Sequence, residues 1–164
     1  MDYYTDIREC LFNKYFLFKG RSEKREFLSY MLFFCAVTAS LLAVATGSGF
    51  LGNIKPVPDA LLLPAGFVLE FFLFIPLLSV TTRRMHDTGK SGRVVTIMFI
   101  VMLLGFFLCL IGFASIQVTG RSDFFAWESG LLLLSCALIL AVYIVVQCLK
   151  SSDPHDNRFG KSNA

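Results

Sequence analysis

Residues 94–116 read VVTIMFIVMLLGFFLCLIGFASI, a run with no charged side chain anywhere in it. A helix of that length rises about 34 Å at ~1.5 Å per residue, enough to cross a hydrocarbon core of ~30 Å. It is apolar all the way round, so no face of it is suited to water. Three further stretches share its character: residues 27–46 carry no charge, 61–82 only Glu70, and 124–149 only Glu128 near the start. A buried helix in a large soluble protein can look like this once, but four such helices in 164 residues require lipid as the solvent. Composition agrees, with 55% hydrophobic and 16% charged residues and eighteen phenylalanines, where soluble domains carry about a quarter charged residues. The expected fold is an all-α membrane protein, one domain over residues 1–164 with four transmembrane helices in a bundle and a cytoplasmic tail at 150–164.

Charge gives the orientation. Six basic residues precede the first span (Arg8, Lys14, Lys19, Arg21, Lys24, Arg25), four lie between the second and third (Arg83, Arg84, Lys90, Arg93), and three follow the fourth (Lys150, Arg158, Lys161). Lys55 and Arg121 are alone in the other two connections, so thirteen of fifteen cations share one face. The positive-inside rule makes that face, and with it both termini, cytoplasmic. Trp127 and Phe124-Phe125 then mark the outer interface and Tyr30 the inner one.

The first twenty residues are too polar to span. Tyr4, Ile7, Leu11, Tyr15 and Phe18 recur every three or four positions among polar residues, the pattern of an amphipathic helix. Such a helix lies in the headgroup region or packs on the ends of the bundle, and the two are compatible. Ala43-Val44-Ala45 imitates a signal-peptide cleavage site. The long, partly acidic stretch before it (Asp2, Asp6, Glu9) argues for a retained helix instead. The five cysteines show no metal or redox spacing and are expected to be small buried side chains. Small residues also follow helical spacing: Ala36, Ser40, Ala43 and Gly47 on the first helix, Gly105, Cys109 and Gly112 on the third, and Ala137 and Ala141 on the fourth. Close packing of helices within one chain is the default reading.

Three polar segments meet at the basic face: FKGRSEKREF at 18–27, RRMHDTGKSG at 83–92 and DPHDNRFG at 153–160. Together they resemble the domain of unknown function 805 family, YhaH-like small bacterial inner-membrane proteins, over essentially the whole chain. Gly20, Arg21, Lys24 or Arg25, Glu26 and Phe27 match the family's entry to its first helix. Arg83, Arg84, His86, Asp87, Gly89, Ser91 and Gly92 match its central motif, and Asn157, Phe159 and Gly160 its close. Leu28 and Arg93 stand where aromatic residues are common in the family, and the usual proline after the last glycine is missing. What the resemblance implies is a multi-pass bundle in a bacterial inner membrane, and no activity comes with it.

The chemistry of these motifs therefore has to be read from the residues. Arg83 and Arg84 lie where the second helix leaves the membrane, able to meet lipid phosphates or a helix C-terminal dipole. Glu26 and Asp87 suit them as ion-pair partners, and Gly89 and Gly92 permit a tight reversal. The plain reading is an ion-paired clasp joining the three segments. The functional one is a site for an anionic ligand, since the arginine fork matches phosphate. Its candidates are Arg21, Arg25, Arg83, Arg84, His86, Asp87, Lys90, Asn157 and Arg158. Gly89-Lys90-Ser91 ends like a phosphate-binding loop, but Arg84 holds the position of the required first glycine. His86, His155, Asp87, Asp153 and Asp156 lack the spacing of a metal site. Glu70 lies mid-span between Pro64 and Pro76, and a charge there costs roughly 2.5–3.5 kcal/mol on insertion scales. Thr38, Ser40 and Ser135 could hydrogen-bond it.

These observations lead to the expectation of a non-catalytic inner-membrane protein whose basic cytoplasmic face binds anionic lipid or a partner protein. The alternative is a small ion, proton or solute transporter or channel using Glu70. No nucleophile–base pair, cofactor loop or nucleic-acid surface is visible, so no enzyme, cofactor or nucleic-acid partner is expected. Membrane lipids, a homo-oligomer or another membrane protein are the partners the chemistry suits.

Overall fold

The computed structural model describes residues 2–45, 59–119, 124–157 and 159–160, side chains excepted at 45, 59–64, 116, 117, 119, 124 and 125. Thr46, Gly47, Lys55, Arg121, Arg158, Lys161 and the side chains of Ala45, Pro64, Phe124 and Phe125, all used in the sequence reading, lie outside that description. Five helices follow one another: α1 (Tyr3–Arg8), α2 (Lys24–Ala45), α3 (Asp59–Asp87), α4 (Arg93–Thr119) and α5 (Phe124–Leu149). A π-helical turn, Glu9–Asn13, continues α1. α2 to α5 are each long and apolar enough to cross a membrane. In α4 only 11% of the apolar stretch is buried inside the protein, and large side chains such as Ile100 and Phe107 on α4 and Leu132 and Ile139 on α5 face outward. Apolar surface on that scale belongs against lipid; the chain is a multi-pass membrane protein.

The bundle is two hairpins, α2 with α3 and α4 with α5; the second is the tighter, and no helix meets one from the other hairpin as closely as it meets its own partner. Glycines make the second hairpin tight. A Cβ on Gly130 would stand 2.7 Å from Cys109 Sγ, 2.8 Å from Cys109 N and 2.9 Å from Gly105 O. Gly105 and Gly112 face Leu133 and Trp127 in the same seam. Small residues let helix backbones approach where no hydrophobic force separates protein from solvent. The stripe expected on α2 does not behave this way. Ala36 and Ser40 are exposed, because α2 turns Phe27 and Tyr30 inward instead.

α3 carries a proline in its middle, and the first hairpin is built around the consequence. Pro76 has no N–H, so the carbonyl four residues back, at Phe72, loses its helical donor. The Tyr15 hydroxyl donates to that carbonyl at 2.7 Å, and the Tyr30 hydroxyl donates to the next one, Leu73, at 2.9 Å. Tyr30 is fully buried and so is no interfacial anchor, contrary to its place at the edge of the first span. Ser79 adds hydrogen bonds to the carbonyls of Lys14 and Leu17, at 3.0 and 2.7 Å. Together these fasten the N-terminal segment along α3.

That segment is rotated from the expected amphipathic face. Asp6 and Cys10 point inward and Ile7, Leu11 and Tyr15 are half-buried, while Tyr4, Phe12, Phe16 and Phe18 are exposed. The Asp6–Arg25 pair sets the rotation, and the π-turn shifts the 3.6-residue period. The cysteines are also not uniformly buried: Cys10 and Cys148 are, but Cys35 and Cys136 are exposed on the lipid-facing sides of α2 and α5.

Candidate functional site

α3 runs past the apolar span. Its helix continues to Asp87, so Arg83, Arg84, His86 and Asp87 sit in the last turns of a helix rather than in a connecting loop. It stops in a Schellman motif: Lys90 N–H bonds the Met85 carbonyl at 2.9 Å, Gly89 N–H bonds the His86 carbonyl at 3.1 Å, and Gly89 has φ +74°. Glycine is the residue that takes this left-handed position without strain. Gly92 then brings α4 close, for a Cβ there would overlap Thr82 Cγ2.

Helical geometry fans the four polar side chains outward to different partners. Arg84 is fully buried and reaches the end of α5. It donates to the carbonyl of Cys148 at 2.9 Å, to the carbonyl of Lys150, and to Ser152 Oγ at 3.0 Å. The last carbonyls of α5 have no partner within their own helix and are where its negative dipole end lies. Arg84 satisfies two of them and also pairs with Asp87, itself buried. Asp87 Oδ1 accepts from Arg21 Nε at 2.8 Å. Arg21 continues to the carbonyls of Asp153 (2.6 Å), His155 (2.9 Å) and Asp87 (3.3 Å). One carboxylate thus holds two guanidinium groups, from the N-terminal segment and from α3, and through them the C-terminal tail.

A second cluster lies beside the first. Arg83 pairs with Glu26 at 2.9 Å; Glu26 also accepts from Lys14 at 3.2 Å, Ser22 at 2.7 Å and the Cys10 thiol at 3.5 Å. Burial, with the nearby Glu26 charge adding to it, pushes the Cys10 thiol up to about 12. Arg83 uses its donors poorly: Nε and Nη2 are buried without a hydrogen-bond partner. A third contact, Arg25 Nε and Nη2 to Asp6 at 3.0 and 3.3 Å, docks α1 on α2.

The tail closes on His86. Its ring stacks on Phe159 at 3.9 Å and an interplanar angle of 4°. Nδ1 lies 3.2 Å from the Gly20 carbonyl, which can only accept, so Nδ1 carries the proton. Asn157 Nδ2 donates to the His86 carbonyl at 3.1 Å and forms a tight turn with Gly160. Of the nine candidates at this end, Arg21, Arg83, Arg84, His86, Asp87 and Asn157 come together in the clasp. Arg25 stands at its margin, Lys90 is exposed in the turn after α3, and Arg158 lies outside the described residues.

The sequence reading did not find Asp6, Cys10, Tyr15, Ser152 or the backbone carbonyls as partners. For Tyr15 a signal existed, since Pro76 announces an orphaned carbonyl four residues earlier. Glu70 is remote from this cluster, in the middle of α3, with Oε1 buried and unpartnered. Thr38, Ser40 and Ser135 do not serve it. Each donates to the carbonyl four residues back in its own helix, at 3.0, 2.8 and 2.9 Å. Among the described residues no three His, Cys, Asp or Glu side chains gather as metal ligands would.

The clasp takes up four of the described cations at this end, Lys14, Arg21, Arg83 and Arg84, and Arg25 is held by Asp6. Arg8, Lys19, Lys24, Lys90, Arg93 and Lys150 form an exposed rim at the same end, where the exposed acids are Asp2, Glu23 and Asp156. The profile of the family described as "Protein of unknown function (DUF805)" matches residues 15–161. No curated protein and no solved structure matches the chain.

Proposed function

Because the chain belongs to the DUF805 family of proteins of unknown function, we propose its role from this geometry: a non-catalytic protein of a bacterial inner membrane that holds anionic lipid headgroups at its cytoplasmic end. The observation that supports the reading is the exposed rim, six cations beyond the Arg25–Asp6 pair against three exposed acids among the described residues. An anionic leaflet contributes about 1 kcal/mol per surface Lys or Arg, within a Debye length. The buried arginines act differently. Arg21, Arg83 and Arg84 shape the platform and leave headgroup contact to Lys24, Lys90 and Lys150 around it. Exposed Tyr4, Phe12 and Phe16 on the N-terminal segment supply the apolar contact that an interfacial segment uses.

The test is binding of the detergent-purified protein to nanodiscs with and without phosphatidylglycerol, at two salt concentrations. The reading expects a phosphatidylglycerol preference that weakens in high salt and falls severalfold in the Lys24→Gln/Lys90→Gln/Lys150→Gln variant. Equal binding of variant and wild type removes it.

A second reading has one observation in its favour, the unpartnered Oε1 of Glu70 within the membrane span. Intramembrane carboxylates mark ion or proton pathways by default. Proton or cation flux in liposomes that Glu70→Gln abolishes supports that role; flux indifferent to the change, or none, counts against it.

A further inference from the structure

The two hairpins leave a cleft of about 390 Å³ between them, lined by all four long helices. Its wall is hydrocarbon and thioether, with Phe27 and Met31 from α2, Phe74 from α3, Met98 and Met102 from α4, and Ala141 from α5 among the lining side chains. Thr81 brings the one hydroxyl to the wall, and that hydroxyl already donates to the Leu77 carbonyl at 2.6 Å. Small-molecule sites orient a polar ligand with a few well-placed donors and acceptors. This cleft offers none, so its occupant is a flexible hydrocarbon. Three methionines suit that, since the unbranched thioether adapts to irregular shapes.

Length and position narrow the occupant further. On α3 the wall runs from Phe74 to Thr81 and on α5 from Leu134 to Val145, about 10 and 16 Å at ~1.5 Å per residue. That is the depth of one leaflet of a ~30 Å core. The leaflet is the one at the basic end. Phe27 is one turn into α2, Thr81 precedes Arg83 by two residues, and Val95 follows the first residue of α4 by two. Glu70 lies one turn deeper than Phe74 on the same face of α3, outside the lining, and sets a polar limit to the depth. Exposed Lys24 lies three residues before the lining residue Phe27, on the same side of α2 and toward its basic end.

We propose that the cleft seats one acyl chain of an anionic phospholipid from this leaflet, with its headgroup at the rim beside Lys24. The proposal rests on the rim reading for the headgroup and goes beyond it for the chain. A lipid held at both ends becomes a stoichiometric part of the fold, adding to the contacts that α3 already makes with α4 and α5.

The experiment uses the wild-type protein in nanodiscs with phosphatidylglycerol bearing a diazirine in one acyl chain, and in parallel with the matching phosphatidylcholine. Crosslinked positions are read by mass spectrometry. Saturable labelling of Met98, Met102, Phe74 or Ala141, enriched about tenfold over outward-facing Ile100, Phe107 and Ile139, is expected from phosphatidylglycerol; tenfold corresponds to ~1.4 kcal/mol. Labelling spread evenly over the outward faces overturns the chain seat, whatever the headgroup preference. Equal cleft labelling by both lipids keeps the chain seat and overturns the headgroup reading instead. The Ala141→Phe variant, its folding checked by helical content and melting, loses the cleft label while keeping outward labelling. Retention of that label also overturns the proposal.

Discussion

Arg83 and Arg84 are neighbours, both buried, both paired with a carboxylate, and the structure predicts that losing them has very different consequences. Replacing Arg84 by methionine removes the Asp87 pair and the donors to Cys148 O, Lys150 O and Ser152 Oγ. Hydrogen bonds to charged groups contribute about 1.5–3 kcal/mol each, but they do not add, and Asp87 keeps Arg21 at 2.8 Å. Removing one partner of a buried pair costs about 3–5 kcal/mol, which we take for Arg84→Met. Arg83→Met removes one hydrogen bond, and Glu26 keeps Lys14 and Ser22. Two guanidinium nitrogens that are buried without partners disappear with it, offsetting part of the loss. The expected cost is below about 1.5 kcal/mol. Reversible unfolding in mixed detergent micelles with increasing dodecyl sulfate, followed by far-UV circular dichroism, measures both. Arg84→Lys should recover little, because one ammonium cannot reach acceptors that a planar fork spans. Equal costs for the two methionine variants, or the larger cost at Arg83, would refute the reasoning.

Tyr15→Phe strands the Phe72 carbonyl and should cost about 1 kcal/mol; in a Pro76→Ala background, where the helical N–H returns, the same change should be nearly neutral by the same unfolding assay. Gly130→Ala forces a Cβ within 2.9 Å of backbone in α4 and should cost about 1–3 kcal/mol. Gly66→Ala, whose Cβ meets only Leu41 at 3.9 Å, should instead gain up to ~1 kcal/mol of helix propensity. Cys10, its thiol held near 12 against an ordinary value of 9.0, should resist maleimide at pH 8 until the protein is unfolded. Because the folded state favours the neutral thiol, the stability it contributes is complete below about pH 9 and is lost as pH climbs toward 12. A thermal melt that held constant from pH 8 to 11 while Cys10→Ala also held constant would remove that linkage.

The four spans were legible because runs of membrane length with at most one charged residue have no other solvent to occupy. That Arg83 and Arg84 would find Glu26 and Asp87 was legible too, from opposite charges converging on one end; which arginine takes which carboxylate was not. Hydropathy misplaced the end of α3, since it falls at Arg83 while the helix goes on to Asp87. There the polar residues stay helical because Arg21, Glu26 and the end of α5 meet them from other parts of the chain. Gly89 marked the true stop, and a C-terminal capping argument would have found it. Tyr30 looked interfacial from its own surroundings; its partner is a carbonyl on α3, close to the one Pro76 orphans, which no local pattern records. The same holds for α2, where Ala36 and Ser40 keep helical spacing but which face a helix buries depends on its neighbour's shape.

In the proposed role, buried arginines shape the basic end and exposed lysines meet the membrane. Native mass spectrometry of protein released from phosphatidylglycerol-containing membranes tests it, with Arg83→Met beside the Lys24→Gln/Lys90→Gln/Lys150→Gln variant. The account predicts wild-type lipid retention in Arg83→Met and loss of bound phosphatidylglycerol in the triple variant. Lipid lost from Arg83→Met and kept by the triple variant would contradict it.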